Sequence, residues 1–394
     1  GRNSYEFYDP ERKSPIHQWH INKGAVFEDV GQWKRPWYFP LNASESMHDA
    51  VQRESKNVRE FAGILDGSTL GKIEIKGKDA LIFMNLIYTN SFSKMKPGTA
   101  RYALMLGEDG MVKDDGIISK ISDEHFIATT TTGGAATVLG CMEEYAQTEW
   151  PNLNVYMNSI TEQFATFNIS GPKTREIMNK VFPEIDFSND AFPFMTFQFH
   201  NYQGMKIRIL RASFTGEMGY EIYIPSKNAS KIWNELHSHG KDFGLIPYGT
   251  ETMHLLRAEK GYIIVGQDTD GSITPIDLGL NWTIGKTKQD FLGKRSLTRT
   301  DTIRSWKKGA LFNLSFSQVA LSNWAAGGNN SISGTGVAKF HLTYKGGKCS
   351  WENNLILGYG ILKQNKESIS YHIIDGLLEI SNKDKNKKVI LGSE

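Results

Sequence analysis

Residues 73–88 (IEIKGKDALIFMNLIY) can be laid on residues 167–182 (FNISGPKTREIMNKVF) without a gap. Ile75, Gly77, Met84 and Asn85 match Ile169, Gly171, Met178 and Asn179, while Ile87 and Tyr88 give way to the similar Val181 and Phe182. In both copies a strand-like run ends at the glycine and a helical pattern follows it. Further strand-like runs and a second helix come after each copy. The first set is RYALML, DDGIISKI and HFIATTT with a helix near 135–146; the second is QFHNYQGMKIRIL and GYEIYIP with a helix near 228–238. Such a repeat restricts the fold to two related α+β modules, each a sheet with helices on one face.

A chain of 394 residues has room for two or three domains and a large core. A formal charge of +2 gives no reason to expect nucleic acid or an anionic membrane as partner. No run of 18 apolar residues marks a membrane-spanning helix. Cys141 and Cys349 have no metal-ligand spacing, so no metal site is expected, and so few cysteines point to a reducing, cytoplasmic compartment.

The first residue is Gly1, and the polar, aromatic stretch Gly1–His20 reads as a linker, as in the C-terminal piece of a longer polypeptide. The segment GQWKRPWYFP (31–40) holds two prolines and reads as irregular chain whose aromatics pack on a core. Residues 47–62 read as a helix. After residue 300, short apolar runs separated by Gly, Asn, Ser and Lys suit a small all-β domain. There Ser322–Gly336 reads as a loop and 379–394 as a fraying tail. The expected division is 1–46 linker and aromatic segment, 47–158 first module, 159–298 second module and 299–394 all-β domain.

Three segments could carry chemistry. GMVKDDG (110–116) holds Asp114 and Asp115, either turn acids capping backbone amides or an anionic group facing a cation or an amine. Neighbours in a strand point to opposite faces, so only one of the pair can enter a given pocket. FTGEMGYE (214–221) holds Glu217, a hairpin-turn acid or a ligand carboxylate. LLRAEKGY (255–262) holds Arg257, which either lays its stem along apolar surface or serves as a planar donor. ATTTT followed by Gly133–Gly134 reads as a strand ending at a helix start, since no phosphate-loop pattern accompanies it. The ten histidines form no H-E-x-x-H, and no G-x-S-x-G is present.

Together these segments resemble the aminomethyltransferase family of folate enzymes, whose founding member is the T-protein of the glycine cleavage system. The matching features are Gly31, Trp33 and Pro36, the Gly63–Asp66 turn, GMVKDDG, TGEMGYE, and the arginine helix followed by GQDTDGSITPIDLGLNW (266–282). GAVFEDVGQWKRPWYFP (24–40), ARYALMLGEDGMVKDDG (100–116), TTTTGGAA (129–136), NDAFPFMT (189–196) and PYGTETMHLLRAEKGY (247–262) are closer still to one branch. That branch is the C-terminal half of the α subunit of heterotetrameric sarcosine oxidases. The likeness runs from about residue 5 to residue 298, and the wording beyond 300 departs from it.

The resemblance implies two ferredoxin-like modules and a small β-barrel-like domain around a central tetrahydrofolate site. It implies that Asp114 is the catalytic acid that contacts the folate nitrogen region where the one-carbon unit is received, and that Glu217 grips the pterin edge. Arg257, Tyr102, Leu70 and Thr131 are implied as further folate contacts. The reaction implied is capture of the imine made by sarcosine oxidation, giving 5,10-methylenetetrahydrofolate. FAD, FMN and NAD are then expected only on an N-terminal half or on partner subunits, including a flavin-bearing β subunit and small subunits. A free-standing aminomethyltransferase or demethylase, or a non-catalytic folate-binding scaffold, are the alternatives.

Overall fold

A computed structural model of the chain describes residues 11–300, 305–319, 331–346, 349–364, 367–382 and 387–392. Residues 1–294 make one compact unit and 295–394 another. The first unit opens with β1 (Arg12–Lys13), α1 (His17–Asn22), β2 (Val26–Val30) and β3 (Trp33–Tyr38), which form a three-stranded sheet in the order β1-β3-β2 with one helix. Residues 11–46, expected as linker and irregular chain, are thus ordered, and residues 1–10 lie outside the described residues. Pro36 is accommodated because it sits opposite Phe27 at a register shift, where a missing N–H interrupts little. Trp33 and Phe39 are buried, as expected of aromatics that pack on a core.

Helix α2 (Met47–Glu60) is capped by the Ser46 side chain, which accepts from the Asp49 amide. Then come β4 (Ala62–Asp66), β5 (Gly71–Lys76), α3 (Ala80–Ile87), β6 (Thr99–Leu106), β7 (Val112–Ser122), β8 (His125–Thr130), α4 (Ala135–Thr148) and β9 (Tyr156–Ser159). The strands from β5 to β9 form an antiparallel sheet in the order β6-β7-β8-β5-β9. The second copy follows as β10 (Phe164–Ser170), α5 (Thr174–Val181), β11 (Phe197–Tyr202), β12 (Met205–Leu210), β13 (Gly219–Pro225), α6 (Ala229–Gly240), β14 (Leu245–Pro247) and α7 (Thr250–Ala258). Its sheet runs β11-β12-β13-β10-β4-β14.

Strand β4 is the departure from a simple tandem. It precedes the first copy in sequence but pairs with β10 of the second, in the place that β9 takes beside β5. The repeated glycines show why the two places are equivalent. Gly77 and Gly171 have φ of 136° and 131°, a region open to glycine. A Cβ would lie 2.1 Å from the Asn154 carbonyl oxygen at Gly77, and 2.5 Å from the Phe61 carbonyl oxygen at Gly171. Each glycine lets the strand-to-helix turn close on the chain entering β9 or β4.

Both sheets put one apolar face against two helices. In the first, Ile73, Ile75, Met105, Ile118 and Phe126 pack on Phe83, Met84, Val138 and Met142. In the second, Phe167, Ile169, Ile207, Ile209 and Ile222 pack on Ile177, Met178, Ile232 and Trp233. The other faces meet each other. Ala100, Ile117 and Ile121 of the first sheet share an apolar cluster with Phe197, Leu210 and Tyr223 of the second. Edge strands are stitched by Ala100 N–H to the Met195 carbonyl (2.8 Å) and Phe197 N–H to the Gly98 carbonyl (2.9 Å).

The second unit contains β15 (Ser305–Val319), β16 (Ser331–Gly346), β17 (Cys349–Gln364), β18 (Glu367–Asn382) and β19 (Lys387–Gly392) in an antiparallel meander. Among the described residues this sheet is open, not closed into the barrel expected. Residues 331–336, expected as loop, begin β16, and 379–382 and 387–392, expected to fray, are strand; 322–330, 383–386 and 393–394 lie outside the described residues. The ladder supplies partners for backbone groups that a glycine- and asparagine-rich composition alone leaves unassigned. Among the described residues no helix is long and apolar enough to cross a membrane.

Candidate functional site

Strand alternation sends Ile207, Ile209, Tyr220 and Ile222 to the helices and leaves Arg208, Glu221 and Tyr223 on the face between the sheets. Register sets them in rows. Arg208 lies opposite Tyr223 and Tyr223 opposite Thr166; Glu221 lies opposite Asn168. Glu221 accepts hydrogen bonds from the Tyr223 hydroxyl (2.5 Å) and the Asn168 amide nitrogen (3.2 Å). Burial raises its pKa, opposed by those bonds and by the positive charges of Arg208 and Lys72. The Arg208 guanidinium stacks 3.9 Å from the Tyr223 ring centroid.

Lys72 reaches this face from β5 of the other sheet. Only 1% exposed, its ammonium donates to the Ser68 and Leu70 carbonyls, both at 2.9 Å. Burial pulls its pKa down to about 7. Three buried polar atoms on these strands have no protein partner: Thr166 Oγ1, Asn168 Oδ1 and one guanidinium nitrogen of Arg208. Buried polar groups are nearly always paired, so three unpaired ones on one face make it a candidate site for a polar molecule.

The aspartate pair is split by the pleat. Asp114 lies opposite Met105 on the core side of the first sheet and is 3% exposed. It accepts from the Thr131 hydroxyl (2.7 Å) and the Thr131 amide (3.3 Å). Gly134, at the start of α4, gives it room: a Cβ there would come 2.9 Å from the carboxylate. Asp115 points the other way, toward the second sheet, and accepts from the Tyr102 hydroxyl at 2.7 Å. The Tyr102 ring lies 6.0 Å from that of Trp282. Burial raises the pKa of Asp114 to about 7 and of Asp115 to about 6, and burial and the neighbouring Asp115 raise that of Tyr102.

Asp114 should therefore weaken the fold as pH rises. Its carboxyl ionises near 3.8 when unfolded but near 7 when folded, so the native state holds the proton longer. Its contribution falls between about pH 4 and 7, by on the order of 2–4 kcal/mol. Asp114→Asn removes that loss. In denaturant titrations the stability difference between mutant and wild type should shift toward the mutant from pH 5 to pH 8; a constant difference would mean an unshifted carboxyl. Gly116 next to the pair is equally constrained, since a Cβ would lie 1.8 Å from the Thr129 carbonyl oxygen. Gly116→Ala should cost about 2 kcal/mol or more, read as a lower unfolding temperature, because backbone must move.

The remaining expected residues fall into separate groups. Leu70 lies in the turn between β4 and β5, where its carbonyl holds Lys72. Thr69 and Thr132 hydroxyls meet at 3.1 Å, which sets this turn beside Thr131. Glu217 is ion-paired to Arg59 of α2 at 2.8 Å, in a partly exposed cluster that includes Glu259. Arg257 is buried and donates to the Tyr262 carbonyl (2.9 Å) and to Asp268. These bonds fix the turn after α7, and the buried Nε of Arg257 has no protein partner.

Glu221, Arg208, Asn168 and Lys72 were missed in the sequence. Each alternates with apolar neighbours and so reads as a solvent-facing strand position. The available clue was that both modules alternate in the same way, so each has a second face that a like partner can cover.

The family model described as the GCVT N-terminal domain matches residues 16–288. The chain belongs to the GCVT family. Among GCVT relatives, the sarcosine oxidase subunit alpha of Corynebacterium sp. (strain U-96) is 52% identical over 309 residues, covering 78% of this chain and 32% of that protein. The subunit alpha of Rhizobium meliloti (strain 1021) is 42% identical over 301 residues, covering 76% and 30%. The chain thus spans about a third of the length of these curated relatives. An aminomethyltransferase of Chlorobium phaeovibrioides is 30% identical over 290 residues, covering 74% of this chain and 76% of that one. The crystal structure of the glycine cleavage system aminomethyltransferase T from Bartonella henselae shares the fold, with a TM-score of 0.64 at 19% identity, covering 97% and 96%. Residues 316–387 match a separate family, a protein of unknown function (DUF3078), which accords with the change of wording after residue 300.

Proposed function

We infer that this chain carries the tetrahydrofolate-dependent one-carbon transfer step of a multi-subunit sarcosine oxidase. The observation that carries the reading is the buried polar face between the sheets, with Glu221 at its centre and unpaired polar atoms around it. Residues 47–158 and 159–298 are read as ferredoxin-like modules with β4 exchanged between them, and 299–394 as a separate small all-β domain.

The donor set fits a reduced folate. A pterin offers an amino group and a ring N–H side by side, and a carboxylate can accept both in parallel. Glu221 is the acid for this, because it is turned inward between the sheets, whereas Glu217 is ion-paired to Arg59 in a partly exposed turn. We assign Leu70 and Tyr102 to the same site, with Thr131 supporting it through Asp114 and Arg257 holding the turn at Tyr262 and Asp268. When bound, tetrahydrofolate supplies the amine that receives the one-carbon unit.

What supports Asp115 over Asp114 as the reactive acid is its direction. Asp115 faces the second sheet beside Tyr102, whereas Asp114 faces the core under Thr131. An iminium donor is a cation that water hydrolyses to formaldehyde, so it must meet the amine away from bulk solvent. Asp115 stabilises that cation, takes the proton lost by the attacking folate amine and returns it to the amine of glycine, which leaves as the second folate nitrogen closes on the methylene carbon; Tyr102 fixes the carboxylate's orientation. The donor would be N-methyleneglycine, the imine formed when a flavin on another subunit or domain takes two electrons from the N-methyl group of sarcosine in the cytoplasm. FAD, FMN and NAD belong to those parts. Calorimetric titration of the chain with tetrahydrofolate tests the reading: saturable binding at micromolar concentration is expected, and its absence at millimolar ligand would overturn it.

A further inference from the structure

Arg208 has no role in the chemistry above. It lies in β12, 5% exposed, on the face shared with Glu221. No carboxylate pairs with it. It rests on the Tyr223 ring, 3.9 Å from the centroid, with Phe197 on another side at 5.7 Å. One of its terminal nitrogens is buried and unpartnered. A guanidinium cannot shed its charge in a protein, so that nitrogen needs an acceptor from something that enters the site. Glu221, which shares the face, accepts from Tyr223 and Asn168 and has lone pairs to spare for a ligand. Lys72, the other cation on this face, is held by two main-chain carbonyls.

Register fixes the spacing. Arg208 stands opposite Tyr223, and Glu221 is two residues from Tyr223 on the same strand, so Arg208 and Glu221 are diagonal neighbours on one face. Diagonal neighbours are far enough apart for a flat heterocycle's edge to lie between long side chains. A 2-amino-4-oxopteridine shows along one edge an amino donor, a ring N–H donor and then a carbonyl acceptor. Glu221 complements the donors. The next position along that edge needs a donor, and the unpartnered nitrogen of Arg208 is on the same face.

We propose that Arg208 donates to the 4-oxo group of the pterin held by Glu221, and that this contact adds to the preference for 4-oxo over 4-amino pteridines that Glu221 sets through the ring N–H. The proposal rests on the reading of Glu221 as the pterin acid. A 4-amino pteridine turns its amino donor on Arg208, leaving that buried nitrogen unpaired, and also lacks the ring N–H that Glu221 accepts, so each residue contributes to the discrimination.

The test is calorimetric titration of the wild-type chain, Arg208→Met, Arg208→Lys and Glu221→Gln with tetrahydrofolate, its 4-amino analogue and tetrahydropteroate, which lacks the glutamate. Wild type should bind tetrahydrofolate at least about tenfold more tightly than the 4-amino analogue. Arg208→Met should narrow that preference several-fold without erasing it, since Glu221 still reads the ring N–H, and chiefly by losing tetrahydrofolate affinity. Arg208→Lys keeps the charge without the planar fork and should recover only part of the preference. Methionine replaces the stacked stem with similar bulk, and circular dichroism checks that both variants fold.

The Glu221→Gln arm separates this proposal from the reading beneath it. If that variant binds as wild type does, the pterin acid is misassigned and the proposal falls with it. If Glu221→Gln weakens binding but Arg208→Met keeps the full 4-oxo preference, the Arg208 contact alone is refuted. A loss in Arg208→Met seen with tetrahydrofolate but not with tetrahydropteroate would assign Arg208 to the glutamate carboxylate and overturn the proposal.

Discussion

Glu221→Gln is expected to weaken tetrahydrofolate binding about tenfold or more, while Glu217→Gln leaves it within about threefold. The asymmetry comes from where the two acids sit, though only four residues separate them. Glu221 is turned inward by the β13 pleat and lies among unpaired polar atoms, where a charge-assisted pair to a ligand contributes about 1.5–3 kcal/mol. Glutamine keeps one acceptor but replaces the other with a donor, which then faces a ligand N–H. Glu217 lies in the turn before that strand, bound to Arg59, and a partly exposed pair of that kind contributes about 1 kcal/mol or less to stability. Isothermal titration of both variants decides the point. A large loss in Glu217→Gln with none in Glu221→Gln would move the pterin to the outer surface of the turn.

The contrast between these two glutamates shows what a one-dimensional pattern carries and what it omits. Periodicity and the repeat are local properties, so the two modules, the Gly71–Lys76 strand and the helix at Met47 are legible in the residues alone. The matched Gly77 and Gly171 even share a backbone conformation. What the pattern omits is which surface a second sheet covers. Arg208, Lys72 and Glu221 each stand between apolar neighbours and look like the wet side of a strand. Only the meeting of the two sheets makes that side an interior. The exchange of β4 into the second sheet is hidden for the same reason, since its partner β10 lies about a hundred residues downstream. Asp114 and Asp115 illustrate a finer limit. Alternation states that one of them enters the site, but choosing between them requires knowing which parity faces α4, and the register shift in β7 just before the pair breaks any count from the turn.

Asp115→Asn should reduce capture of the one-carbon unit by roughly a hundredfold, within the range usual for a positioned acid–base group. Folate affinity should stay within a few-fold, since Asp115 is assigned to the reacting carbon and not to the pterin edge. The assay supplies N-methyleneglycine in situ from a separate flavin amine oxidase acting on the N-methyl group of sarcosine, and follows 5,10-methylenetetrahydrofolate against free formaldehyde. Product should shift to formaldehyde in the mutant because hydrolysis continues when capture fails. The pH profile gives an independent check. The working form of Asp115 is the carboxylate, and its pKa is raised to about 6, so the wild-type rate should climb with pH through about 6 and level above it. Asp115→Asn should lose that limb and Asp114→Asn should keep it, because Asp114 lies on the core side, bonded to Thr131. The reverse result, with the limb lost in Asp114→Asn and retained in Asp115→Asn, would place the chemistry at the helix start beneath Thr131 and not between the sheets.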